Sequence, residues 1–480
     1  MTNYDYWASH SFLGSSGISE KAAVDYLLKD SPSPYADDVS DLYARVALSA
    51  LALLGDKEYA RTGTRREPGG LSELYKQPLL EKYLQERLAQ CRDILEPALD
   101  MAVFPVGGCI ISFRFTLSSP YLSQDDAALH LLDNPVKKEW VFKLPYVAPT
   151  QWKGALRAAM IRQLIEQLNA ADHETSFTEV RLQLYHLFGN EKDGAADFLD
   201  RALAHWRVGP APENADGRDQ REWQERVTGE TQKIAQEFDA LLRERGYRQG
   251  DVEGFQGCLY FYPTYFTRLG LEVINPHDRK TGAGRQPIYF ECVPAGAAGD
   301  FTLLYAPLNG AAQAADDLTA VAQGIQAMLT IYGFGAKTSS GFGVASDWLD
   351  GKGKLTIRAE LGIVNEPATP VDKPDVNPIQ TEVEAFVRRF DLEEFPYWTN
   401  EELEQSEWGR SRKSKYKRLR ARHPDWDDTT RKWQGLAVET QPEPEPLETL
   451  LVSEYTFRTL SELCERARDV AEELREGGEV

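Results

Sequence analysis

Long apolar runs are missing from this chain: no window approaches the ~18 to 20 consecutive apolar residues that a membrane-crossing helix needs. Cysteine is scarce. The five present (Cys91, Cys109, Cys258, Cys292 and Cys464) are scattered, odd in number and without a CxxC pair. That pattern speaks against a disulfide framework and against a zinc site, and it fits a reducing cytoplasm. The opening MTNYDYWASHSF lacks a basic segment followed by an apolar one, so no signal peptide is expected. Walker, Rossmann and catalytic-triad signatures are absent, which leaves a metabolic enzyme with a phosphate-bearing cofactor little support. Positive charge is the minority: 54 Lys and Arg face 75 Asp and Glu, a net charge of −21. Such a surface repels nucleic acid unless cations are placed locally.

What is present suffices for a large core. Of 480 residues, 42% are hydrophobic and 11% aromatic, enough for two or three domains or one elaborated core. The acid is unevenly spread. Segment 105–158 has six Lys/Arg against four Asp/Glu, and segment 255–345 has five against six. A near-neutral groove can bind phosphate through backbone N–H groups and a few placed cations.

Patterning divides the chain. Residues 1–104 read as helical, with SDLYARVALSALALLG (40–55) and the amphipathic stretch at 72–101. Strand character begins at CIISFRFTLSSPYL (109–122), where Ile111, Phe113 and Phe115 alternate. A helix follows from 150 to about 168 with Thr150 as N-cap, and segment 191–253 is a charged helical insertion. Strands return at 257–266, 287–294 and 300–308; a helix spans about 317–332, and a last strand is expected at 354–361. The core is thus bounded at 105–362. Beyond the linker 365–378 come a charged helical module (379–437) and, after QPEPEPLE, a terminal region (447–480) read as one helix from 449 to about 475. Strand, helix, strands, helix, strand implies an α+β protein with a ferredoxin-like core.

Two segments carry chemistry. In GFGAKTSSGFGVA (333–345), Gly333, Gly335, Gly341 and Gly343 surround Lys337, Thr338, Ser339 and Ser340. Glycines let backbone amides approach phosphates, and one lysine and several hydroxyls add contacts. A nucleotide P-loop would need glycine immediately before the lysine and a strand-to-helix setting; here Ala336 precedes Lys337 and a helix precedes the loop. The competing reading is a flexible turn. In LPYVAPTQWKGALRAAM (144–160) a proline turn opens a helix bearing Lys153, Gly154 and Arg157. Lys153 and Arg157, four apart, share a helical face. Gly154 permits close backbone approach near a helix N-terminus, where anions are favoured. An ordinary solvated helix face would look the same.

Taken together, the two segments resemble the RAMP superfamily, whose members join a proline turn and Lys-Gly-x-x-Arg helix start to a downstream G-x-G-x-K-T-S-x-G-x-G loop. One departure is that Ala148-Pro149-Thr150-Gln151-Trp152 stands where Pro-Gly-Ser-Ser-Leu is usual. The resemblance covers about 109–344. It implies an RRM-like core and a guide-RNA-binding (crRNA) subunit of a type III CRISPR effector, meeting target RNA and the other effector subunits. Asp133, in Asp133-Asn134-Pro135-Val136, matches the aspartate of the family's nuclease subunits. That implies an endoribonuclease cutting target RNA, with a divalent cation, Mg2+, as cofactor. Asp-Asn-Pro is equally a common turn, and His130, three residues earlier, is not expected to assist. By contrast, LEVINPHDRKTGAGRQPIYFECVP (271–294), with His277, resembles the Asn-Pro-His region of the Cmr-type subunit near the end of the guide, a non-catalytic cap. His277 reads equally well as a turn residue.

The basic run GRSRKSKYKRLRARH (409–423) is the one dense positive patch. It suits RNA phosphates, with Tyr416 for stacking, or an acidic partner protein, or plain solvation. Trp398, Trp408, Trp426 and Trp433 are expected to pack this module.

Overall fold

The structure, a computed structural model, describes residues 61–62, 70–95, 99–125, 132, 134–170, 174–190, 194–212, 216–248, 255–277, 280, 282, 284, 287–308, 310–358, 386, 390, 398, 400–406, 408–422, 426–427, 432–433 and 452–476. The chain divides into two compact units, 1–361 with 451–480 and 362–450.

In chain order the larger unit holds α1 (Leu71–Leu74), α2 (Pro78–Leu95), β1 (Cys109–Thr116), β2 (Tyr146–Val147), α3 (Pro149–Ala170), α4 (Glu174–Phe188), α5 (Ala195–Val208) and α6 (Gly217–Glu244). Next come β3 (Leu259–Phe261), β4 (Thr264–Tyr265), β5 (Gly270–Ile274), β6 (Ile288–Cys292), β7 (Ala298–Tyr305), α7 (Ala311–Ala327) and β8 (Trp348–Arg358). The smaller unit holds α8 (Asn400–Gln405), α9 (Arg410–Arg422), β9 (Trp426–Asp427) and β10 (Lys432–Trp433). The chain then returns to the larger unit as β11 (Val452–Thr459) and α10 (Leu460–Glu476).

The architecture is α+β. Five antiparallel strands form the main sheet in the order β11–β8–β1–β7–β3. Counted along the chain, β1, β3, β7 and β8 thus lie fourth–first–third–second, the order of a split βαβ pair. Period-two alternation on β1 decides which face is buried. Cys109, Ile111, Phe113 and Phe115 turn inward, while Ile110, Ser112, Arg114 and Thr116 stay half-exposed. Phe113 lies opposite Phe301 with ring centroids 5.0 Å apart. Burying such side chains contributes roughly 1.5–3 kcal/mol each. Helices α3 and α7 pack together, and Gly324 allows it: a Cβ there would lie 2.6 Å from Met160 Cγ. On the opposite face Arg114 reaches Asp300 at 3.1 Å and Asp350 at 2.9 Å, solvent-screened contacts that add little stability.

Several expectations are corrected. Helix α3 begins at Pro149, so Thr150 is already inside it rather than capping it; proline at the first helical position has no amide to leave unpaired. The carbonyl of Ala148 closes the first turn, accepting from Gln151 N at 2.9 Å and Trp152 N at 3.1 Å. The expected single terminal helix begins instead with strand β11, whose Tyr455 pairs with Leu355 and whose Phe457 buries against Phe113 at 6.1 Å. Strand β8 starts six residues earlier than expected and ends at Arg358.

The helical insertion is present as α5 and α6, both amphipathic. A buried ion pair, Arg181 to Asp200 at 2.6 Å, holds α4 to α5. Fully buried Asp317 on α7 accepts from Tyr305 Oη at 2.6 Å, Gln183 Nε2 at 2.9 Å and Gln313 Nε2 at 3.0 Å. Burial raises the Asp317 carboxyl above its ordinary range and lowers the nearby His186. These bonds satisfy what burial would otherwise leave unpaired.

Within the smaller unit, Tyr416 is fully buried and unavailable for stacking. Its hydroxyl accepts from Trp398 N at 2.8 Å, and the Trp398 and Trp408 rings lie 4.6 Å apart. Trp426 and Trp433 pair across β9 and β10. Trp398 and Trp408 pack the unit, as expected.

Candidate functional site

The glycine-rich loop follows a five-residue π-helical turn, Met328–Tyr332, which ends α7; such turns recur at functional sites. Gly333, Gly335, Gly341 and Gly343 all have positive φ. Three are also required by contact: an added Cβ would lie 2.6 Å from Phe342 O at Gly333, 2.4 Å from Leu122 O at Gly335 and 1.9 Å from Phe334 O at Gly343. At Gly341 it would meet nothing within 4 Å. Hydrogen bonds from Ala336 N to Leu122 O (2.8 Å) and from Gly343 N to Pro120 O (2.9 Å) seat the loop's two ends on the segment after β1.

Between those ends the backbone changes hand twice. Lys337 is left-handed at φ 59, Thr338–Ser340 form a right-handed turn, and Gly341 is left-handed again. Such alternation turns successive N–H groups into an anion-binding concavity. Among the described residues, the amides of Lys337, Thr338 and Ser339 have no acceptor within the chain. Lys337, Ser339 and Ser340 are exposed and Thr338 half-buried. The Lys337 ammonium sits 5.2 Å above the Phe290 ring.

At the helix start the predicted residues part company. Trp152 is fully buried, 4.5 Å from the ring of Phe334 in the glycine loop, and donates to Thr264 Oγ1 at 3.0 Å. Tyr121, whose ring would block a side chain at Gly335, donates to Gln151 Oε1 at 3.0 Å. The loop and the helix start therefore meet through Tyr121, Gln151 and Trp152. Arg157 points elsewhere: it donates to the Phe188 carbonyl at 3.0 Å and lies 5.4 Å over the Phe188 ring. Lys153 is half-buried; burial first, then the like charge of Arg157, holds its ammonium below the usual lysine range. The expectation of an exposed Lys153–Arg157 face is corrected accordingly. Gly154 is exposed, and a Cβ there would meet nothing within 4 Å.

Asp133 and His130 lie outside the described residues. Their neighbour Asn134 is well fixed: its carbonyl accepts from Glu291 N at 3.0 Å, and its side chain donates to Tyr289 O at 3.3 Å. Buried Glu291 organises the segment that follows. It pairs with buried Lys138 and accepts from Val136 N at 3.0 Å and from Tyr75 Oη at 2.8 Å. Strand β6 thus carries both Glu291, which anchors the chain beside Asp133, and Phe290, which lies under Lys337. The Asp-Asn-Pro sequence hinted at the anchor; nothing in the sequence marked Glu291 or Phe290. His277 is exposed beyond the end of β5 and bridges to Gly284 in the β5–β6 hairpin. Among the described residues no three potential ligands converge as a metal site. Glu291 is fully engaged, and Asp125 accepts from Lys138 N at 3.4 Å.

Residues 81–346 match the sequence profile of the RAMP superfamily. The match covers more than half of the chain, and the chain belongs to that superfamily. No curated protein matches it. Among solved structures, the cryo-EM structure of the type III-B Cmr-beta bound to cognate target RNA matches at 13% identity and TM-score 0.34, over 68% of this chain and 96% of that one. A CRISPR RNA-guided surveillance complex, pre-nicking, matches at 11% and 0.26, over 60% and 90%. The crystal structure of Cmr6 from Pyrococcus furiosus matches at 15% and 0.24, over 50% and 98%.

Proposed function

We propose that this protein binds guide RNA as a subunit of a type III CRISPR effector and contributes to recognition of target RNA. The observation that carries the reading is the loop at 333–343: three consecutive amides without an internal acceptor, starting at exposed, left-handed Lys337 in a turn that left-handed Gly341 closes. A backbone phosphate fits that chemistry, since it accepts from amides and from the Ser339 and Ser340 hydroxyls while Lys337 supplies charge. Gly154 adds to the reading. No internal contact requires glycine there, although glycine within a helix costs about 0.5–1 kcal/mol relative to alanine. Close approach of a ligand backbone accounts for it, with Lys153 next to it as the cation.

Asp133 is proposed as the group that cleaves target RNA. Its carboxylate, next in sequence to the anchored Asn134, would assist attack by a 2′-hydroxyl on the adjacent phosphate, with in-line geometry set by the bound strand. A Mg2+ ion held by this single carboxylate would draw its other ligands from water and RNA phosphate. The alternative is a non-catalytic subunit that caps or scaffolds the complex, with His277 on the exposed hairpin as its contact.

The test begins by co-purifying the protein with the products of its genomic neighbours and sequencing the bound RNA, which should contain repeat-derived guides. With matched target RNA, Asp133→Ala should leave both RNAs bound and lower cleavage by orders of magnitude. Products should end in a 2′,3′-cyclic phosphate, and a 2′-deoxy substitution at the cut site should block them. If the Asp133→Ala complex cuts in the wild-type pattern, the catalytic claim is wrong and the capping role stands.

A further inference from the structure

Helix α9 packs eight Lys and Arg and no acid into 13 residues, inside a chain whose net charge is −21. The described side chains fall into two groups. Arg412 donates to the Phe390 carbonyl at 3.2 Å and stacks 4.0 Å over Trp408, and Arg420 donates to Trp398 O at 3.1 Å. Those two hold the small unit together. Of the other described cations, Lys417 and Arg418 face solvent, while Lys413 is half-buried and half-buried Lys415 sits 5.5 Å over the Phe390 ring. Glu404 takes two of these, accepting from Lys413 Nζ at its carbonyl (2.7 Å) and pairing with Lys417 through its carboxylate. Arg418 is exposed. Like charges three and four apart, as at Lys413–Lys417 and Lys415–Arg418, oppose helix formation, so this helix gains from an external polyanion.

From this arrangement we propose that α9 is a second nucleic-acid site, separate from the glycine loop, which takes the phosphate backbone without regard to base sequence. The aromatic residues decide the class of ligand. Tyr416 and Phe386 are buried, and Trp398, Trp408 and Phe390 are half-buried in ring contacts with them. Among the described side chains the outward face therefore offers cations without the aromatic anchors on which protein interfaces concentrate their affinity. Nor, among those side chains, is there an exposed ring for base stacking, through which single-strand sites hold bases. Backbone phosphates need neither.

The site does not depend on the reading of the glycine loop, and the experiment keeps the two apart. Binding of the full chain to two unstructured 20-nucleotide RNAs of unrelated sequence is measured by fluorescence anisotropy across a salt series. Four proteins are compared: wild type, Lys417→Gln/Arg418→Gln, Lys337→Ala and the triple variant. Matched thermal melts confirm folding. The single variant Arg418→Gln, altered at an exposed side chain, serves if the double variant melts early, with half the expected change in slope. Losing two phosphate contacts should flatten the slope of log affinity against log salt by about 1.4, equally for both RNAs and in both Lys337 backgrounds. An unchanged slope, or a loss confined to one RNA, overturns the proposal. So does unchanged RNA binding with loss of an acidic protein partner.

Discussion

The glycine loop and the start of α3 are close neighbours, joined through Trp152 and Phe334, yet they divide the work differently. In the loop, three glycines are spent on the fold, and the lysine, serines and amides between them face out. In the helix start one of the two cations expected to share a face, Arg157, is spent on Phe188, and exposed Gly154 has no internal duty. A motif of cations and glycines thus mixes two kinds of residue. Some shape the backbone and some are left for a ligand, and residue type alone does not say which.

The sharpest way to break that comparison is within the loop. Gly343→Ala should destabilise the larger unit by about 2–4 kcal/mol, from the collision with Phe334 O plus the left-handed backbone. Gly341→Ala, with open space around it, should lose only about 1–2 kcal/mol. Urea midpoints of the two variants measure the gap; equal losses would mean that the loop's ends are not seated as described. Next in size is the helix start. Arg157→Ala should cost about 2 kcal/mol of stability, because the buried Phe188 carbonyl loses its donor and the ring its cation. Lys153→Ala should leave stability nearly unchanged while flattening the salt dependence of guide binding by about 0.7. Reversed roles would overturn the assignment. The smallest effect is expected at Gly154. Alanine there should stabilise the protein by about 0.5–1 kcal/mol and weaken guide RNA. A variant that gains stability without losing RNA would remove Gly154 from the proposed site.

Strand β1 was legible in the sequence because its inward residues alternate over eight positions, and β6 and β7 because β-branched and aromatic residues cluster there against turn signals. Helices α5 and α6 were legible because segment 191–253 is charged and lacks strand patterning. Strand β11 was passed over although it alternates: Ser453, Tyr455, Phe457 and Thr459 turn inward, but only Phe457 is fully buried and the segment runs straight into a long helix. Its conformation is set by pairing with β8, about a hundred residues away. The candidate site was readable as a motif but not as a set of contacts. The acceptor of Arg157 lies 31 residues on, and Lys138 and Glu291 are separated by 153. Distances in sequence of that size carry no periodic signal, whereas the glycines, whose need is local backbone shape, announced themselves.

The pairing of Val452 with Arg358 makes β8 and β11 the two arms of one hairpin, and everything between them, the smaller unit included, is its turn. Residues that face each other across an antiparallel ladder are about 4.5–5.5 Å apart. The excursion therefore leaves and re-enters through a single narrow gate. Closing a flexible loop costs only slightly more as it lengthens, so the sheet is nearly indifferent to how much chain hangs there. A short turn in its place would leave the five-stranded sheet complete, and the position reads as a socket in which one protein carries a basic module and another need carry none.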